Sequence, residues 1–216
     1  MKTKGIIFDL DGTLLDTLRD LADAGNAALR ELNFPIHSTE DYKYFIGKGV
    51  EELVRQILPE DNRDKQTVAK CLALMKRNYS KFWRRNSRPY PGIAELLTEL
   101  EKRGIVKVVF SNKLDEFTGV MVREILPKWR FEIVRGALPG VPIKPDPTAA
   151  LAIAAEVKIE TQKFVYLGDS ATDMQTANAA GMYAVGALWG FRTAEELLGG
   201  GAKVLVKEPL EVLKLF

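Results

Sequence analysis

Phe8-Asp9-Leu10-Asp11-Gly12-Thr13-Leu14-Leu15-Asp16 is the stretch on which the fold of this chain turns. The apolar run before it, Gly5-Ile6-Ile7-Phe8, has the length and branching of a buried parallel strand, and Gly12 marks a turn just beyond. Asp9 and Asp11 are therefore delivered at a strand's end, where residues two apart can face the same way. Two carboxylates in one pocket repel each other unless a cation lies between them, so the pattern points to a metal. An Asx-type turn, with Asp and Gly serving only backbone geometry, gives the same four residues. What decides between the two readings lies further along the chain.

Beyond Asp16, Leu18, Leu21, Gly25, Ala28, Leu29 and Leu32 recur at helical spacing, with Asp16 or Thr17 as the expected cap. Short helices follow around Thr39 to Ile46 and Val50 to Leu58. A longer one spans about Arg63 to Trp83, striped by Val68, Cys71, Leu72, Met75, Tyr79, Phe82 and Trp83. Nothing in this block reads as strand. It ends in Arg84-Arg85-Asn86-Ser87-Arg88-Pro89-Tyr90-Pro91-Gly92, a polar, proline-containing stretch suited to a hinge. A small all-helical domain over residues 16–88 is expected, inserted into a larger one formed by residues 1–15 and 89–216.

From Pro91 onward helix and strand alternate. Val106 to Phe110, Phe164 to Leu167, Tyr183 to Ala187 and Val204 to Val206 read as buried strands, Phe131 to Val134 as a weak one, and Pro209 as the start of a last helix. The expected class is α/β, a doubly wound Rossmann-like parallel sheet with helices on both faces. Ligands in such sheets bind beyond the carboxyl ends of the strands, so Asp9, Ser111 and Asp169, each just past a predicted strand, should meet in one site.

Four motifs then stand in order: Asp9-Leu10-Asp11-Gly12-Thr13, Ser111-Asn112-Lys113, Lys144-Pro145-Asp146-Pro147 and Gly168-Asp169-Ser170-Ala171-Thr172-Asp173. Together they resemble the four motifs of the haloacid dehalogenase superfamily over nearly the whole chain, and the helical block resembles the cap domain inserted in one of its subfamilies. The resemblance implies a phosphatase that uses Mg2+ and forms an aspartyl phosphate. Asp9 would be the nucleophile and Asp11 the acid and base. Asp9, Asp169 and the backbone carbonyl of Asp11 would ligate the metal, and the oxygen-only set suits magnesium. Ser111, Asn112 and Lys144 would bind the phosphate, with Ser170 and Asp173 behind them. Asp-Leu-Asp-Gly-Thr-Leu-Leu-Asp-Thr, Gly47-Lys48-Gly49, Tyr90-Pro91-Gly92 and Ser111-Asn112-Lys113 point to the phosphoglycolate phosphatase-like branch, with Lys48 over the site as the contact for a second anionic group. Lys144-Pro145-Asp146-Pro147 is shared with relatives acting on pyrophosphate, nucleotides or sugar phosphates, so these and a phosphomutase remain alternatives. A non-enzymatic binding module is the rival of another class, and the intact set of site residues argues against it.

Composition narrows the partners. With 216 residues, 46% of them hydrophobic, and a net charge of +2, the chain can bury a sizeable core and has no strong field favouring nucleic acid or an anionic membrane. Cys71, the only cysteine, permits no internal disulfide. No stretch is long and apolar enough for a signal peptide or a membrane span, so a cytoplasmic monomer or homodimer acting on a small phosphorylated metabolite is expected. His37, between Pro35 and Ser38, reads as an exposed loop residue, and Trp189-Gly190-Phe191-Arg192 as a turn leading into a helix, with no chemistry assigned.

Overall fold

The computed structural model describes residues 3–216, so Met1 and Lys2 of the basic N-terminus lie outside the described residues. Strand β1 (Gly5–Phe8) is followed by the two-residue β2 (Leu15–Asp16). The helices α1 (Leu18–Glu31), α2 (Tyr42–Phe45), α3 (Val50–Ile57) and α4 (Lys65–Phe82) come next, then the short β3 (Arg88–Pro89). The alternating part comprises α5 (Ile93–Lys102), β4 (Val106–Leu114), α6 (Asp115–Ile125), β5 (Ile133–Ala137), α7 (Thr148–Glu156) and β6 (Phe164–Gly168). It continues through α8 (Ala171–Ala179), β7 (Tyr183–Ala187), α9 (Ala194–Gly199) and β8 (Val204–Val206) to a closing 3-10 segment, Pro209–Leu215. Among the described residues no helix is long and apolar enough to cross a membrane.

The main sheet has six parallel strands in the order β5-β4-β1-β6-β7-β8. Its chain order runs outward from β1 on one side and then on the other, which makes β1 the switch point where α/β sheets hold ligands. Alternation along the strands explains the two covered faces. Ile6, Phe8, Val109, Val165 and Leu167 enter one core cluster, while Ile7, Val108, Phe110, Phe164 and Tyr166 enter the other. Ile6, Ile7 and Phe8 are wholly buried, each contributing about 1.5–3 kcal/mol of hydrophobic stabilisation. Register then sets the site: Phe8 stands opposite Val109 and Leu167, so Asp9, one residue on, and Ser111 and Asp169, two residues on, come to one edge of the sheet.

Several expectations need correction. β4 does not end at Phe110 but runs to Leu114, with its pairing to β5 irregular between Phe110 and Leu114, so Ser111 lies within the strand and not in a loop. The weak strand at Phe131 to Val134 is displaced to β5, because Glu132 N–H donates to Lys107 O and ladder pairing begins only at Ile133. Thr17 precedes α1, but its hydroxyl makes no cap; it donates to Asp11 Oδ1. His37 is half-buried rather than exposed: its Nε2 lies 2.7 Å from Ile57 O, and Tyr42 and Phe45 meet its ring edge-on.

The helical block from α1 to α4 holds no strand, as expected, and its two connections lie side by side as the antiparallel pair β2 and β3, with Leu15 opposite Pro89 and Asp16 opposite Arg88. The second connection is tied down. Asp20 of α1 is fully buried and accepts hydrogen bonds of 2.8 to 3.1 Å from the backbone and side chains of Asn86 and Ser87. A buried carboxylate satisfied by that many donors holds the connection in one conformation.

Candidate active site

Beyond the carboxyl end of β1, Asp9 points its carboxylate at Lys144, whose ammonium lies 2.9 Å from Asp9 Oδ1 and 2.7 Å from Asp173 Oδ1. The other oxygen of Asp173 accepts from the Ser170 hydroxyl at 2.6 Å, and the Ser170 and Asp173 pair forms the capping box of α8. Helix capping thus positions the carboxylate that holds Lys144. Asp169 accepts from the Thr13 hydroxyl at 2.8 Å and from Phe191 N–H at 2.9 Å. Trp189 anchors the same loop, its indole N–H donating to Thr13 O at 2.9 Å. The 189–191 stretch therefore does have a place in the site, through its backbone and a side chain behind the carboxylates.

Close approach dictates two glycines here. A Cβ on Gly12, whose φ is +81°, would stand 2.2 Å from Asp169 Oδ2; one on Gly190 would stand 2.2 Å from Asp169 Cβ and 2.4 Å from Gly12 O. The two loops close on each other only without side chains at these positions.

Asp9, Asp169 and Asp173 are all buried, and each offers a carboxylate oxygen within 4.8 Å of the others. Burial raises Asp9 to about 6, against the attraction of Lys144 and with the repulsion of Asp173 added. Burial also raises Asp169 to about 8, reinforced by Asp173 and Asp9. For Lys144, burial works against the ammonium form, but Asp173 and Asp9 outweigh it and hold the group well above its usual value. Three buried carboxylates around one ammonium lack positive charge, and an all-oxygen set of this kind fits a hard divalent cation.

The sign of a pH effect follows. A carboxyl whose pKa is higher in the folded chain than in the unfolded one stabilises the fold while protonated, and that contribution is lost as pH rises from about 4 towards 8. A cation competing with those protons stabilises the protein more at high pH. Magnesium is thus expected to raise the melting temperature of EDTA-treated protein by several degrees more at pH 8 than at pH 5. Equal shifts at both pH values in a thermal melt would count against the carboxylate cluster as the binding site.

Asp11 has a different environment. Lys113 donates to both its oxygens at 3.0 Å and the Thr17 hydroxyl to one at 2.7 Å. Lys113 is itself buried, 4.5 Å from the Tyr79 ring of α4. Burial disfavours its charged form, and Asp11 beside it more than compensates, so its pKa lies above the usual lysine value. Lys113 was visible in the sequence as part of the Ser-Asn-Lys motif, yet nothing there disclosed its tie to Asp11.

Ser111 and Asn112 are buried beside these groups. Ser111 lines the cavity, and its oxygen accepts weakly from Lys113 N–H at 3.3 Å. Asn112 is fully engaged: its amide donates to Gly47 O and Lys144 O and accepts from Lys144 N–H, at 2.9 to 3.0 Å. From the other side Arg192 donates to the carbonyls of Lys43, Tyr44 and Ile46. Together they hold α2 and the segment after it across the mouth of the site. The cavity so enclosed is bounded by Asp9, Asp11, Ser111 and Asp169 on one side and by α3 and α4 on the other. Lys48, expected over the site, is exposed and does not line it. Its neighbours Gly47 and Gly49 do, with φ of +120° and +85°.

Known proteins resemble this chain over most of its length. A phosphoglycolate phosphatase of Nitrosospira multiformis is 32% identical over 217 residues, covering 98% of this chain and 95% of that protein. One from Thiobacillus denitrificans is 31% identical, covering 82% of this chain and 80% of its own. The crystal structure of a protein from Lactobacillus delbrueckii subsp. bulgaricus assigned as a phosphoglycolate phosphatase superposes with a TM-score of 0.92 at 31% identity, covering 98% of this chain and 97% of that one. The profile of haloacid dehalogenase-like hydrolases matches residues 6–187, which hold every carboxylate and lysine of the site, and the chain belongs to that family.

Proposed function

We propose that this protein is a magnesium-dependent phosphatase that hydrolyses a small phosphate monoester through a phosphoryl group carried on Asp9, with an activity like that of its phosphoglycolate phosphatase relatives. The single observation that supports this most is the contrast between two carboxylates lining one cavity. Asp9 sits in the cluster with Lys144, Asp169 and Asp173, whereas Asp11 is held apart by Lys113 and Thr17. Two carboxyl groups in unlike environments can divide nucleophilic and proton-transfer work.

In the first half-reaction an Asp9 oxygen attacks phosphorus, the ester bond breaks, and the leaving alcohol takes a proton from Asp11. In the second, Asp11 takes a proton from water, whose oxygen attacks the same phosphorus and releases phosphate and the Asp9 carboxylate. The hydrogen bonds from Lys113 and Thr17 aim Asp11 for both steps. Asp9, Asp169 and the Asp11 backbone carbonyl are the groups that would hold Mg2+, which when bound offsets the negative charge of the carboxylates and of the phosphoryl oxygens. Lys144, fixed by Asp173 and Asp9, presents charge to the phosphoryl group, and the Ser111 hydroxyl offers a hydrogen bond. Ser170 supports the same group through Asp173.

Residues 16–88 act in this reading as a cap over the core formed by residues 1–15 and 89–216, with the Asn112 and Arg192 contacts describing its closed position. A closed cap keeps bulk water from the acyl phosphate. The reading is tested by phosphate release from a panel of phosphorylated metabolites and p-nitrophenyl phosphate. Activity is expected with magnesium, lost in EDTA and restored by excess Mg2+. Full activity in exhaustively chelated buffer would remove the metal, and no release from any ester with Mg2+ would remove the phosphatase.

A further inference from the structure

The cations around the cavity are accounted for with one exception. Lys144 lies between Asp9 and Asp173, Lys113 holds Asp11, and Arg192 is tied to carbonyls of α2 and of Ile46 and to Glu196. Lys48 points away. Lys76, on α4, lines the same cavity, is half-buried, and makes no ion pair or hydrogen bond among the described residues. It lies one helical turn before Tyr79, whose ring packs against Lys113, so it shares the face of α4 that looks toward Asp11.

The wall around Lys76 is apolar. Leu21, Val50, Leu53, Met75 and Phe117 supply most of it and offer no side-chain hydrogen bonds. A hydroxyl-rich leaving group placed there loses its water without replacement partners. An anion that meets the ammonium does not.

Resting on the phosphatase reading above, we propose that Lys76 is the specificity residue of the site: it receives a carboxylate at the far end of the leaving alcohol. The cavity therefore selects phosphate monoesters of short, hydroxyl-poor hydroxy acids. The ester's phosphoryl end meets groups of the core and its anionic end meets the helical insertion, so both parts of the chain read one substrate.

The test compares 2-phosphoglycolate with ethyl phosphate, which has a leaving group of the same chain length without the charge, in wild type, Lys76→Met, Lys76→Arg and Lys48→Met. Wild type is expected to favour 2-phosphoglycolate. Lys76→Met should lower the ratio of the two kcat/KM values by roughly tenfold to a hundredfold, mainly through KM, because the contact is made equally before and during reaction. Lys76→Arg should restore most of the ratio and Lys48→Met should keep it. An unchanged ratio in Lys76→Met, or a wild type indifferent to the anionic end, overturns the assignment of Lys76. Failure of the wild type to hydrolyse either ester, or p-nitrophenyl phosphate, with Mg2+ overturns the phosphatase reading itself, and this inference with it.

Discussion

Asp9→Asn is expected to lower turnover on every phosphate ester by on the order of 10⁴-fold or more, the scale seen when a nucleophile is removed from a preorganised site. An amide oxygen does not form the acyl phosphate, and the substitution is nearly isosteric, so the fold has no reason to change. The hydrogen bond that Leu10 N–H makes to Asp9 Oδ1, at 2.7 Å, has an acceptor in Asn as well. Stability should move the other way from activity. Asp9 is burdened by burial and by repulsion from Asp173 and Asp11, opposed by Lys144, and the neutral amide removes the first two burdens along with the Lys144 attraction. The metal-free variant is therefore expected to melt within a few degrees of wild type or above it. Kinetics with p-nitrophenyl phosphate and a thermal melt decide the matter: activity within tenfold of wild type would assign the nucleophile elsewhere, and a collapse in melting temperature would make the activity loss uninformative.

What could be read from the residues alone was the part of the site that rests on backbone direction. Asp9, Ser111 and Asp169 each follow an apolar run, and parallel pairing in register brings the ends of those runs together even where, as at Ser111, the strand itself continues. The groups that escaped depend on side chains reaching across the fold. Lys113 acquires its partner only because β4 continues irregularly past Phe110, which aims the lysine at Asp11. Lys76 stands beside the apolar stripe of α4, and the stripe does not tell which of its charged neighbours borders a cavity and which faces solvent. Phe191 contributes a backbone N–H, which every residue but proline carries, so no side-chain pattern announces it. His37 reads as exposed from its polar loop, but its contacts come from α1, α2 and α3, which sequence proximity does not reveal.

Lys144→Met is expected to be the most damaging single change to stability in the core of the site. The residue is 2% exposed, its ammonium donates to Phe110 O, and it pairs with both Asp9 and Asp173. Methionine nearly fills the volume but leaves two buried carboxylates facing each other and Asp169 with no cation nearby. Breaking a buried pair in this way costs about 3–5 kcal/mol. For a chain of this length that corresponds to a fall in melting temperature of roughly 6–20 °C in the absence of metal. Two comparisons isolate the cause. Adding Asp173→Asn to Lys144→Met should recover part of the loss, since it removes one of the orphaned charges; simple loss of packing would not be repaired. Lys107→Met should be milder, because Lys107 is equally buried but its partner Glu101 is largely exposed and can return to water. Turnover should fall as well, by a hundredfold or more on the scale of a lost charge contact to the phosphoryl group. A Lys144→Met protein that melts within about 2 °C of wild type would show that the carboxylate cluster does not depend on this ammonium, and would return Lys144 to the role of a packing residue.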